Sequence, residues 1–241
     1  MNEPLVVILA RAGSKGLVHK NALSVAGRPM LEWTIDHAKQ ATRVQRVAVS
    51  TDGQALAEIA HRAEVPVIER PTALAGDTAT VDAAARHAVQ QMESHDCCKY
   101  RAVVILYGNV PVRPDDLTDR ALEKLDETGA SSVQSVCDVG KHHPYWMKRL
   151  TGNERDNLEP YEPNQIYRRQ DLPPVYMLDG GIIAVTRPSL FHRVPGQPHA
   201  FLGEDQRAVV TNPGDVVDVD SEIDRKFAEA VLTARSHEMA V

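Results

Sequence analysis

The residues best suited to chemistry fall in three places. The first is a loop, Arg11-Ala12-Gly13-Ser14-Lys15-Gly16, with Lys20 and Asn21 close behind, emptied into by the apolar run Leu5–Ala10. Backbone N–H groups beside glycine approach an anion closely, and lysines neutralise its charge. The second is Asp218-Val219-Asp220. In an extended segment these two carboxylates face the same side. Such a pair suits Mg²⁺, which is usually held by one or two carboxylates together with substrate phosphates. The third is a scatter of arginines, Arg70, Arg113, Arg168 and Arg169, whose planar donor forks match phosphate or carboxylate.

Each place also has a plainer reading. The loop can be a solvated surface turn. Acids just before a helix are favoured by its dipole, which would account for Asp220 more readily than for Asp218. Surface arginines are common. Asp52 in Ser50-Thr51-Asp52-Gly53 suits a turn. Adjacent His142 and His143 point apart in extended structure and read as a surface loop, not a metal pair.

Some chemistries are excluded. Gly16 is followed by Leu17, so the loop is not G-x-x-x-x-G-K-[ST], and it is not G-x-G-x-x-G either. No G-x-S-x-G nucleophile elbow occurs.

Positioning these residues requires a scaffold, and the hydrophobic pattern supplies one. Strands are predicted at Leu5–Ala10, Arg46–Ser50, Val65–Ile68, Ala102–Leu106 and Ser131–Val136. Helices are predicted at Met30–Gln40, Gln54–Ala63, Thr80–Ser94 and Pro114–Thr128, with Pro114 suited to a first turn. This alternation implies an α/β fold, a mainly parallel sheet with helices on both faces. Ligands on such sheets bind at the carboxyl ends of the strands, where the loops 11–21, 50–53, 69–78 and 107–113 all fall. The pattern breaks from His142 to Leu178, among prolines, charges and five aromatics. An inserted element over about residues 140–180 is expected, a lid or a subunit contact. Gly180–Val185 restores strand character, Phe201–Val210 is ambiguous, and Val216–Asp220 is short and alternating. Ser221–Arg235 reads as the closing helix, with Ser221 at its N-cap and Asp224 three residues on.

The 241 residues suit one α/β domain spanning 1–241 with that insertion. The net charge of −6 argues against nucleic acid or a membrane surface as the main partner, with the loop lysines as a local basic patch. Three cysteines without metal or disulfide spacing (Cys97, Cys98 and Cys137) imply a reducing compartment. The chain enters its first strand directly and has no apolar run of bilayer length, so a cytoplasmic location is expected.

The string Ile8-Leu9-Ala10-Arg11-Ala12-Gly13-Ser14-Lys15-Gly16, with Lys20-Asn21, resembles the signature of acylneuraminate cytidylyltransferases. The resemblance continues in register through Val49-Ser50-Thr51-Asp52, Arg70-Pro71 with Leu74-Ala75 and Asp77-Thr78, Arg169-Gln170-Asp171-Leu172-Pro173, Asp179-Gly180 and Asp218-Val219-Asp220. It implies a Rossmann-like nucleotide-diphospho-sugar transferase fold, a homodimer, and transfer of CMP from CTP to a sugar acid with Mg²⁺. Arg11, Lys20 and Asp218 would be catalytic. Ala10, Arg11, Gly13, Ser14, Lys15, Gly16, Lys20, Asn21, Arg70 and Asp77 would hold the nucleotide. Tyr107, Asn109, Arg113, Arg169, Tyr176 and Asp179 would face the acceptor, and Asp218 and Asp220 the metal. In-line attack of an anomeric hydroxyl on the α-phosphorus develops charge on phosphate oxygens, so fixed cations and a metal serve better than a covalent nucleophile.

Two stretches depart from that family. Tyr107-Gly108-Asn109-Val110-Pro111-Val112-Arg113 stands where Gln-Pro-Thr-Ser-Pro-Leu-Arg is usual. It is similar to the Gly-Asp-x-Pro loop of sugar-nucleotide pyrophosphorylases and Kdo cytidylyltransferases, with Asn109 in place of the aspartate. Met177-Leu178-Asp179-Gly180 replaces Arg-Pro-Asn-Gly. Both changes lie on the acceptor side. They leave open another sugar or base on the same fold, or a catalytically idle binding protein.

Overall fold

The computed structural model describes residues 3–13, 17, 19–154 and 156–238. Among them a seven-stranded sheet runs in the order β11-β7-β10-β6-β1-β4-β5. Its strands are β1 (Leu5–Leu9), β4 (Arg46–Thr51), β5 (Val67–Glu69), β6 (Ala102–Tyr107), β7 (Ser132–Asp138), β10 (Tyr176–Thr186) and β11 (Gln206–Thr211). Two short hairpins add β2 (Ser24–Val25) with β3 (Arg28–Pro29), and β8 (Lys148–Thr151) with β9 (Asn157–Pro160). The helices are α1 (Met30–Gln40), α2 (Gln54–Arg62), α3 (Val81–His95), α4 (Leu117–Thr128), α5 (Arg187–Phe191) and α6 (Glu222–Glu238).

Alternation along β1 sorts its side chains between two cores. Val6 and Ile8 pack with Leu31 and Ile35 of α1, Leu56 and Ile59 of α2, and Leu122 of α4. Leu5, Val7 and Leu9 pack with Ala84, Ala88 and Met92 of α3 and with Leu190 of α5. Both faces of β1 are therefore covered, which is why it reads as a continuous apolar run. A third cluster, including Val25, Val112, Val217, Val219 and Leu232, seats α6 over the loop after β6.

β1 pairs in parallel with β4 on one side and β6 on the other, so the chain reverses its direction of progress across the sheet between β1 and β6. The crevice at such a reversal is where open α/β sheets bind ligands. β10 runs antiparallel between β6 and β7, with a register shift between Leu178 and Ile183.

Three expectations change. α4 starts at Leu117, because 114–116 form a turn in which Leu117 N–H donates to the Pro114 carbonyl at 3.1 Å. His143 is buried, not on a surface loop: its Nε2 pairs with the Pro173 carbonyl at 3.1 Å and its Nδ1 accepts from the Tyr145 N–H. It pegs down the base of the insertion that carries β8 and β9. Val216–Asp220 forms one isolated bridge, Val217 to Val112, where alternation suggested a strand. The closing helix is capped as expected. Ser221 N–H and hydroxyl donate to Asp224 Oδ2 at 2.8 and 2.7 Å, and Asp224 N–H donates back to the hydroxyl at 3.3 Å.

Candidate active site

The loop after β1 is held by its neighbours. Ala12 N–H donates to Asp52 Oδ1 at 2.7 Å, so the Asp52 turn anchors the loop's backbone. A Cβ on Gly53 would stand 2.8 Å from that of Ala12, which lets the two turns lie against each other. Asn21 Nδ2 donates to the Arg11 carbonyl at 2.9 Å, and Arg11 donates to Asp77 at 2.8 Å. Ser14, Lys15 and Gly16, expected at the triphosphate, lie outside the described residues.

These contacts frame a cavity of about 250 Å³ at the carboxyl ends of β1 and β6. Arg11, Gly13, Lys20, Asn21, Arg70, Asp77, Tyr107 and Asn109 line it, with Leu74, Thr80 and Val81 closing one side. Ala10 lies buried beneath and donates its N–H to the Ser50 carbonyl. Arg70 is fixed by Ser50, through Nε to the hydroxyl at 3.1 Å and a terminal nitrogen to the carbonyl at 2.7 Å. Burial lowers its pKa to about 10, opposed by Asp52 and reinforced by Arg11, so it stays charged at neutral pH. Asn21 Oδ1 is buried with no hydrogen-bond partner among the described residues, on a side chain that lines the cavity. An orphan acceptor there is a place for a ligand donor.

The loop after β6 brings the far end of the chain to this cavity. A Cβ on Gly108 would stand 2.9 Å from that of Ala10 and 3.0 Å from Asn21 Oδ1, so only glycine lets the two loops touch. Asn109 Nδ2 donates to Asp218 Oδ1, and Val219 N–H donates to the Asn109 carbonyl at 2.9 Å. Lys20 Nζ bonds Asp220 Oδ1 at 2.6 Å, across 200 residues of sequence. Burial and then the charge of Asp220 push Asp218 up to about 6, against the pull of Lys20 and Arg113. Burial and Asp218 together raise Tyr107 as well.

Asp218 and Asp220 fit a divalent cation of one kind. Among the described residues no group of three or more His, Cys, Asp or Glu could hold a metal by itself. Asn109 offers an amide where a third carboxylate would strengthen the site. A buried carboxylate pushed up by a second acid favours an incoming cation. Mg²⁺ shared with substrate phosphates meets those conditions, whereas an all-protein cage does not.

On the acceptor side the expected residues divide. Tyr107 and Asp179 line a second cavity of about 460 Å³, with Met177, Leu178 and Asp218. Arg113 does not reach it. Only 3% exposed, it donates to the carbonyls of Gly181 (2.7 Å), Tyr107 (3.0 Å) and Val110 and to the Thr34 hydroxyl (3.1 Å). Burial lowers it to about 9, while Asp218 and Asp179 hold it up. It brackets the Tyr107–Val110 loop from behind, correcting its reading as an acceptor ligand. The Asp179 carboxylate is likewise taken up by the fold, accepting from Ser135 Oγ, Gly181 N–H at 2.9 Å and Thr211 Oγ1 at 2.6 Å. Arg169 sits exposed in the insertion near Gly140, and Tyr176 is half-exposed at the outer end of β10, and neither lines these cavities. Sequence reasoning overlooked Gln134, which lines this cavity and its neighbour. The available signal was a long polar residue in the middle of the predicted strand Ser131–Val136.

The family model described as "Cytidylyltransferase" matches residues 5–177, well over half of the chain. The chain belongs to the cytidylyltransferase family. Among its relatives is the CMP-N,N'-diacetyllegionaminic acid synthase of Legionella pneumophila, 29% identical over 95% of both chains. Another is the pseudaminic acid cytidylyltransferase of Campylobacter jejuni, 25% identical over 98% of both. The fold is shared with a CMP:2-keto-3-deoxy-manno-octonic acid synthetase solved with CTP. That match has a TM-score of 0.70 at 17% identity, covering 97% of this chain and 99% of that one. The model match takes in the loop after β1, the Arg70 turn and the start of β10, but stops before Asp218 and Asp220. A metal role for Asp218 and Asp220 therefore lies outside that match.

Proposed function

We propose that this cytidylyltransferase moves CMP from CTP to the anomeric hydroxyl of a nonulosonic or related 2-keto-3-deoxy sugar acid, releasing pyrophosphate. The hydroxyl oxygen attacks the α-phosphorus in line, the bond to the pyrophosphate oxygen breaks, and the hydroxyl proton is released. Arg11 and Lys20 would hold the triphosphate and neutralise charge as it shifts onto pyrophosphate. Arg70 and Asn21 would lie toward the cytidine. Asp218 and Asp220 would hold Mg²⁺, which supplies further charge neutralisation at the phosphates. Tyr107 stands between the nucleotide cavity and the acceptor side.

The observation that carries this reading is the meeting of Lys20 with Asp220, and of Asn109 with Asp218, at one cavity edge. Cations from the first loop and carboxylates from the last converge where in-line phosphoryl chemistry needs both. Pyrophosphate release across the four common nucleoside triphosphates and a panel of sugar acids tests it. CTP with a nonulosonic acid is expected to react. CTP binding without pyrophosphate release from any acceptor would refute it.

A homodimer is part of the proposal. Leu150 and Leu158 face each other across the β8–β9 hairpin, yet are 62% and 68% exposed. Tyr161 and Tyr167 are exposed in the same insertion. Apolar surface of this kind is commonly covered by a second chain. A monomer by light scattering at micromolar concentration would contradict it. A cytoplasmic setting suits the free thiols of Cys97, Cys98 and Cys137, and no helix among the described residues is long and apolar enough to cross a membrane.

A further inference from the structure

Beside the nucleotide cavity lies an apolar cavity of about 580 Å³, lined in part by Val81, Leu178, Ile183 and Phe201. Tyr107, Gln134, Leu178 and Ile183 line both it and the 460 Å³ cavity that reaches Asp218. These four side chains form the boundary between the two spaces. Tyr107 also borders the nucleotide cavity, so an acceptor reacting there extends past Tyr107 onto this boundary.

Gln134 is the polar member of the boundary set back from the nucleotide. It sits on β7 between Ile183 of β10 and Ala208 of β11, half-buried among apolar neighbours. Its side-chain amide has no hydrogen-bond partner among the described residues. Two polar neighbours are engaged elsewhere: Gln206 donates to the Gly203 carbonyl at 3.0 Å, and Ser135 Oγ serves Asp179 and Ile182; His199, Thr80 and Asp82 also line the apolar cavity. The amide is not sealed from solvent, so a ligand group that pairs with it replaces water rather than filling a buried vacancy, at a net gain of a few-fold in affinity per hydrogen bond.

We infer that Gln134 is a specificity-determining residue that pairs with an acylamino group of the acceptor, whose acyl carbon chain enters the apolar cavity. The chemistry of both partners leads there. A primary amide presents one acceptor and donors side by side. An acylamino group answers with one N–H and one C=O, followed by an apolar methyl or longer chain. A hydroxyl can meet half of that pairing, but it offers nothing to Val81, Ile183 and Phe201. A site built to hydrogen-bond a substituent rejects analogues lacking it, because its own polar group is then left unpaired.

The inference rests on the proposed transfer to a sugar acid. Its test uses two acceptors, an N-acetylated nonulosonic acid and 2-keto-3-deoxy-manno-octonic acid, which has no nitrogen. Initial rates are measured with saturating CTP for wild type, Gln134→Leu and the nearly isosteric Gln134→Met, with thermal melting as the check on folding. Wild type should prefer the N-acetylated acceptor. Both variants should raise its KM by roughly tenfold, as expected for two neutral hydrogen bonds. Its kcat, the KM for CTP and the kinetics of the nitrogen-free acceptor should stay within about twofold of wild type. Equal effects on both acceptors, or no effect, would overturn the role of Gln134 and leave the proposed reaction standing. Wild-type turnover of the nitrogen-free acceptor alone would do the same. Wild-type failure on both acceptors would overturn the role of Gln134, and would overturn the proposed reaction only if no acceptor of the wider panel releases pyrophosphate from CTP.

Discussion

The two halves of the crevice are built on different principles. The nucleotide half is crowded with charge: Arg11 on Asp77, Lys20 on Asp220, and Arg70 fixed on Ser50, around about 250 Å³. The acceptor half is larger and mostly apolar, with Tyr107 and Gln134 among its polar features. A triphosphate presents much the same charge whatever its acceptor, so its site can be made of fixed ions. A sugar acid differs from its relatives in substituents, so its site must work by shape and by a few placed hydrogen bonds. On the proposed reading, the charged half would set the reaction and the apolar half the substrate, within one fold.

The strongest test of that division is a residue behind both halves. Arg113→Met removes donors from three carbonyls, two of them in buried contacts, and leaves Asp218 and Asp179 with less compensating charge. It should cost roughly 3 kcal/mol of stability, read by urea unfolding, and lower the affinity for both substrates together. A stable variant impaired only toward the acceptor would restore Arg113 as a ligand.

Lys20→Ala should separate the halves. Its partner Asp220 is exposed, so the melting temperature should hold while kcat falls on the order of 10²-fold. An unchanged rate would remove Lys20 from the mechanism. Asp218→Asn should raise the Mg²⁺ needed for half-maximal rate by roughly tenfold while leaving metal-free CTP binding alone. A Mg²⁺ titration identical to wild type would make Asp218 a structural residue.

A pH effect lies outside both halves. Burial, with help from Arg113, lowers His37 from 6.5 to about 3, so it is neutral in the folded chain and shares a hydrogen bond with Thr118 at 2.9 Å. The unfolded chain takes up the proton first. The stability His37 supplies is therefore full above about pH 6.5 and is lost as the pH falls towards 3, at no more than about 1.4 kcal/mol per pH unit. Urea midpoints between pH 4.5 and 7.5 should drop less steeply in His37→Gln. Parallel curves would show that other groups set the acid limit.

The halves also differ in how far they can be read from the sequence. α1 runs from Met30 to Gln40 as its apolar spacing requires, and the Gly- and Lys-bearing loop follows β1 as its composition requires. Charged groups at strand ends keep their meaning without the fold. Arg113 does not, because nothing in a string of residues says whether a guanidinium meets a ligand or four groups of its own chain. Asp179 lines the second cavity, but the hold of Ser135 and Thr211 on its carboxylate depends on β10 running antiparallel beside β7, and hydrophobic alternation carries no strand direction. His143 reads as surface beside His142 until Pro173 is folded over it. Gln134 was in plain view inside a strand, yet its significance depends on cavities assembled from β6, β7 and β10.

The central claim, that these halves together make a CMP-transferring site, is most directly tested by ³¹P NMR of the protein with CTP, Mg²⁺ and an N-acetylated nonulosonic acid. The three CTP resonances should give way to pyrophosphate and one phosphodiester in equal amounts, and only when the sugar acid is present. Persistence of CTP, or conversion to free CMP without a phosphodiester, would contradict it.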